Sequence, residues 1–168
     1  MMKVKLSPSE FKNLKGIEYF NFEEDFIEEN MRCIPMVVRF KMDAAGIKLK
    51  LAEWSKFQPS ERIQLALLPI FTQAETDRYH QFLIGLITKY TGNQATTMLV
   101  DPLPDWGNLH QIPSMLQKKS AEMQFQLSIK QWRKLTNIQR FTLLKLCRPG
   151  HENRNFPKAV TEFGLLSS

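Results

Sequence analysis

At 168 residues and 43% hydrophobic content, the chain is of a size to bury one core without disulfide staples. Its two cysteines, Cys33 and Cys147, lie far apart with no second cysteine at metal-ligand spacing to either, which excludes the usual paired-cysteine zinc signatures and favours a reduced, cytoplasmic setting. The net charge of +6 invites an acidic partner, while apolar runs as short as "LALLPIF" and "FLIGLI" exclude a membrane span, so a soluble protein with no membrane partner is expected.

In chain order, apolar periodicity and turn residues predict helices near 22–32, 35–45, 51–57, 59–68, 73–91, 113–124, 128–135, 136–147 and 156–163. The strongest is 73–91, where Tyr79, Phe82, Leu83, Leu86, Ile87 and Tyr90 form one stripe that stops at Gly92. Thr72 with Glu75, Ser128 with Gln131 and Thr136 with Gln139 read as capping boxes. Alternating, strand-like stretches are confined to "MKVKL" and "GIKLKL". The expected fold is all-α: a single compact helical domain over residues 1–168, with residues 92–112 as a long connection.

Residues 34–68 and 112–146 align without a gap at an offset of 78. The identities are Ile34/Ile112, Pro35/Pro113, Lys41/Lys119, Leu49/Leu127, Trp54/Trp132, Lys56/Lys134, Arg62/Arg140, Leu65/Leu143 and Leu68/Leu146. They include the rarer Trp and Pro, so two pseudo-symmetric repeats of short helices are expected, about 34–91 and 112–165. In each, Pro is placed in the first helical turn, Trp reads as a core anchor, and Arg eight residues later is positioned to stack on or cap its own unit.

Charge is polarised. Residues 115–158 hold ten Lys/Arg against Glu122 and Glu152, whereas "EEDFIEE" at 23–29 carries five carboxylates. Catalytic signatures are missing: the glycines are isolated, and no G-x-S-x-G, H-E-x-x-H or paired C-x-x-C occurs. His80 and His110 read as surface or packing residues. Cys33, beside Arg32 and near Arg39, has either a lowered thiol pKa or, on the simpler reading, a buried inert thiol.

The segment "RPGHENRNFP" (148–157) has no aliphatic side chain and admits two readings. As a turn, Pro149-Gly150 stops one helix with Gly150 as its left-handed closing residue, and Asn155 caps the next, with Pro157 in its first turn. As a surface, Arg148, His151 and Arg154 receive a phosphate or carboxylate, and Glu152 and Asn153 set their orientation. Binding fits this second reading better than catalysis, because no nucleophile accompanies the histidine.

"NFEEDFIEENMRCIPMVVRFKMDAAGIKLKLAEW" (21–54), with "QRFTLLKLCRPGHENRNF" (139–156) and "EFGL" (162–165), resembles the nitrate reductase associated protein family. The resemblance implies a small accessory protein without catalytic activity or cofactor, which binds assimilatory nitrate reductase and aids the assembly or activation of that molybdenum and iron–sulfur enzyme. The candidate partner or anion surface is then Arg148, His151, Glu152, Asn153, Arg154 and Asn155, with Arg32 and Arg39. Two alternatives stay open. The basic cluster receives the phosphate of a molybdenum-pterin cofactor during its insertion, or the chain is a nucleic-acid-binding regulator. Against the second stand the acidic 23–29 segment and the lack of a helix-turn-helix or aromatic stacking motif.

Overall fold

The computed structural model describes residues 10–24 and 34–166, and contacts divide the chain into two compact units, Met1–Val100 and Asp101–Ser168. The molecule is mostly helical, with one small two-stranded sheet that the all-α expectation lacked.

In the first unit, residues 21–24 are helical, and the remainder of the helix expected over 22–32 lies outside the described residues, as does "MKVKL". Helix α1 (Met36–Ala45) follows Pro35, which is the N-cap rather than the first helical residue. Proline offers no side-chain acceptor there, and Glu23 supplies it: its carboxylate accepts the Met36 N–H at 2.7 Å and the Phe20 N–H at 3.0 Å. A carboxylate at a helix N-terminus also faces the positive end of the backbone dipole. Glu23 is fully buried, so the acidic run does not begin as a solvated face.

Gly46 ends α1 in the left-handed conformation, with φ of 73°. Strand β1 (Ile47–Lys48) then pairs antiparallel with β2 (Thr96–Thr97), placing Ile47 opposite Thr97. "GIKLKL" thus contributes a strand of two residues before the chain turns helical at α2 (Leu51–Trp54). This helix is shorter than expected because its end tightens, with the N–H groups of Lys56 and Phe57 reaching back three residues to Glu53 and Trp54. Helix α3 (Pro59–Leu67) opens on proline, and α4 (Gln73–Thr91) is the long amphipathic helix.

Helix α4 buries Tyr79, Leu83, Leu86 and Ile87, four of the six stripe residues, and packs on α1. The buried Tyr79 hydroxyl donates to the Leu65 carbonyl at 2.7 Å, and its pKa is raised by burial. His80 Nδ1 meets the Ala45 carbonyl at 2.7 Å, so that nitrogen carries the proton and the ring caps the end of α1. Lys41 reaches the C-terminal end of α3, donating to the carbonyls of Ala66 and Leu68 at 2.7 and 2.6 Å.

In the second unit, residues 106–109 of the long connection are held by side chains. A 3₁₀ turn at Asp105–Gly107 leads to α5 (Ser114–Glu122), α6 (Ile129–Lys134), α7 (Asn137–Cys147), a second 3₁₀ turn (His151–Asn155) and α8 (Phe156–Glu162). Three donors fix the first stretch: Trp132 Nε1 to the Asn108 carbonyl at 2.8 Å, Arg133 Nε to Leu109 at 2.8 Å, and Arg140 Nε to Trp106 at 2.7 Å. Helix α7 is the centre of this unit, with Arg140, Phe141, Thr142, Leu143, Leu144, Leu146 and Cys147 all buried. Like Pro35, Pro113 is an N-cap. The three expected capping boxes are present, the side-chain oxygens of Thr72, Ser128 and Thr136 accepting from the third residue of their helices at 3.1–3.2 Å.

Candidate functional site

The polar segment after α7 takes its shape from backbone demands. Arg148 leaves the helix in an extended conformation, Pro149 follows, and Gly150 has φ of 145° and ψ of −179°. This is not the left-handed closing residue expected from the sequence. It is the positive-φ extended region that glycine alone enters readily. The chain then turns once in 3₁₀ geometry and runs directly into α8.

Asn155 does not cap that helix. Its backbone is already helical, its side chain makes no cap bond, and it is only 2% exposed, so it leaves the surface set. The organising residue is Asn153. Its amide Nδ2 donates to the carbonyls of Arg148 and Cys147 at 3.2 and 3.4 Å, satisfying the last acceptors of α7. Its Oδ1 accepts from Lys119 Nζ at 2.8 Å. The ammonium also lies 6.0 Å from the Phe156 ring centroid and 3.7 Å from a Glu122 oxygen.

These contacts frame an open cleft of about 490 Å³. Helix α5 supplies Met115, Lys118, Lys119 and Glu122 as one wall, residues that share a face by their spacing of three and four. The rest of the lining is Cys147, Pro149, Gly150 and Asn153. Burial pushes the Cys147 thiol up to about 12, against the lowering effect of Lys119, so it stays protonated near neutrality and is a poor nucleophile. The chemistry offered is recognition: two ammonium groups, an amide, and the apolar side chains of Met115 and Pro149.

Of the residues singled out in sequence, Asn153 forms part of the cleft wall. Arg148 is exposed where that wall begins, and Arg154 is exposed one residue beyond Asn153. The backbone of His151 and Glu152 lies in the 3₁₀ turn, and their side chains lie outside the described part, as do Arg32 and Cys33. Arg39 belongs to α1 of the other unit, where its Nε donates to the Ile34 carbonyl at 2.8 Å. Lys118, Lys119 and Met115 were not anticipated. Their signal was the i, i+3, i+4 spacing on a helix already predicted.

Among the described residues no helix is long and apolar enough to cross a membrane. Comparison with curated proteins returns no match, and comparison with solved structures returns none. A family model described as conserved nitrate reductase-associated protein matches residues 19–163, which takes in both units and the whole cleft. The chain belongs to the nitrate reductase-associated protein family.

Proposed function

We propose that the chain is a cytoplasmic accessory protein without catalytic activity of its own, which binds nitrate reductase or its apo form and aids assembly or activation. The observation that carries this reading is the family match, which reaches from residue 19 to residue 163. The second unit adds chemistry suited to binding, with a cleft beside exposed Arg148 and Arg154 in the most basic part of the chain.

The two units are best read as diverged copies of one ancestral element. In support, each has a proline N-cap, a buried tryptophan and an arginine over its ring, at 5.9 Å for Arg62 on Trp54 and 5.8 Å for Arg140 on Trp132.

The test is a chain carrying Arg148→Ala with Arg154→Ala, expressed in place of the original in nitrate-grown cells. Two surface cations facing a partner contribute together about 1.4 kcal/mol, a tenfold loss of affinity. The expected result is that nitrate reductase no longer co-purifies with the variant and that its activity in those cells falls. Unchanged co-purification and activity would remove this surface from the proposal. Failure of the unsubstituted chain to retrieve the reductase would remove the function itself.

A further inference from the structure

Lys119 is held as a ligand-binding lysine is held. Asn153 grips its ammonium at 2.8 Å and is itself fixed by two helix-end carbonyls, and the fully buried Phe156 supports the group from 6.0 Å. Such support from a surrounding layer is what keeps a binding group in one geometry. Its only carboxylate among the described residues is Glu122, at 3.7 Å with a side chain 57% exposed. An exposed pair at that distance contributes little, so an incoming carboxylate displaces it at small cost. Lys118, next to it on the cleft wall, is exposed and has no ion pair with a described residue.

We infer that this cleft binds a carboxylate-bearing extended segment of a partner protein, with Lys118 and Lys119 taking the acidic side chain and Met115, Cys147 and Pro149 taking an apolar neighbour. The assignment rests on the reading of the chain as a binding protein and names the chemistry of what it binds. Charge complementarity selects the occupant: the two lysines outnumber Glu122, and residues 115–158 carry ten cationic side chains against two anionic ones. A volume of about 490 Å³ lies in the range of sites that enclose an organic ligand and far exceeds a bare inorganic anion, for which the apolar Met115 and Pro149 in the lining would serve no purpose. Glu122 acts as an internal occupant, sitting on Lys119 until a better-placed carboxylate arrives.

The experiment needs no reductase. A fluorescein-labelled peptide, acetyl-Glu-Leu-Asp-Leu-Glu-amide, is titrated with the full chain at low salt by anisotropy, beside its amide counterpart acetyl-Gln-Leu-Asn-Leu-Gln-amide and inorganic phosphate as competitor. The acidic peptide should bind about tenfold more tightly than the amide peptide, Lys118→Glu should lose about tenfold, and Glu122→Gln should gain a few-fold. Both side chains are exposed, so both variants should keep the parent circular dichroism spectrum. No binding of the acidic peptide at millimolar protein overturns the assignment, as does equal affinity for the two peptides or an unchanged Lys118→Glu. Displacement of the acidic peptide by phosphate at equal concentration would mean a plain anion site and would overturn it too. If the peptide binds as expected but the reductase is never retrieved, the cleft stands and the accessory function falls. If the reductase is retrieved equally well by Lys118→Glu, the function stands and the cleft falls.

Discussion

The arginine that follows each buried tryptophan keeps different company in the two units. Arg62 lies over Trp54, gives one N–H to the Phe57 carbonyl at 2.6 Å, and turns the rest outward to Glu10, at 2.6 and 3.3 Å. Arg140 lies over Trp132 at nearly the same distance, yet it is 5% exposed and meets no carboxylate among the described residues. It donates to the carbonyls of Trp106, Trp132 and Leu135 and to the Asn137 side chain. The ring–guanidinium stack is the shared element, while the outer partner differs. In the first unit it is a surface ion pair, and in the second it is the backbone of the stretch that precedes α5.

That difference sets the largest expected effect. Arg140→Ala takes the donor from the Trp106 and Leu135 carbonyls and should cost about 3 kcal/mol. Arg62→Ala breaks an exposed pair and one carbonyl bond and should cost about 1 kcal/mol. Urea unfolding of the two variants beside the parent measures both. Equal losses would mean that burial of the guanidinium does not separate the units as argued.

A second contrast lies just after α1 and α5. Gly46 has φ of 73°, and an added Cβ would stand 2.9 Å from the Met98 carbonyl, because the residue after β2 lies against it and donates its N–H to the Gly46 carbonyl at 2.8 Å. Gln124, at the matching position, adopts φ of 62° with a side chain. Gly46→Ala is therefore expected to lose about 1–3 kcal/mol through strain and a backbone clash, whereas Gln124→Gly should lose nothing or gain up to about 1 kcal/mol. Thermal midpoints of the two variants decide it, and a Gly46→Ala as stable as the parent would show that β2 gives way easily.

What was legible in the sequence is what rests on neighbours. Thr72 with Glu75 announces α4 because a hydroxyl and a carboxylate three residues apart satisfy each other's backbone groups. At the starts of α2 and α3 only the return half of such a box is made, Glu53 and Glu61 accepting the N–H groups of Lys50 and Gln58, and Lys and Gln are not residues that mark a helix start. Long-range bonds left no local trace. Nothing near Glu23 indicates that it will cap a helix thirteen residues on, and carbonyls carry no side-chain signature, so the hold of Trp132, Arg133 and Arg140 on residues 106–109 was not foreseeable. The same limit applies to the site. The polarity of 148–155 was plain, but that Asn153 turns to Lys119 across 34 residues, while Asn155 turns inward, depends on packing.

The aligned lysines carry the subtlest contrast, and it is testable by pH. Lys119 reaches its helix end through Asn153, which leaves its ammonium at the edge of an open cleft. Lys41 closes on the end of α3 directly, with both of its hydrogen bonds going to neutral carbonyls, and burial pushes its pKa from 10.5 down to about 8. A lysine whose folded pKa lies below its unfolded value leaves the folded state holding fewer protons than the unfolded chain between those two values. Stability then rises with pH across that window, from about 8 to 10.5, and below it the buried charge is a standing cost. Lys41→Met keeps the stem and removes the titration. The urea midpoint of the parent, minus that of the variant, should therefore increase between pH 7.5 and pH 10, since groups titrating elsewhere cancel in the difference. A difference that stays flat would mean that the Lys41 ammonium is as well accommodated against α3 as in water, and the two lysines would then differ only in geometry.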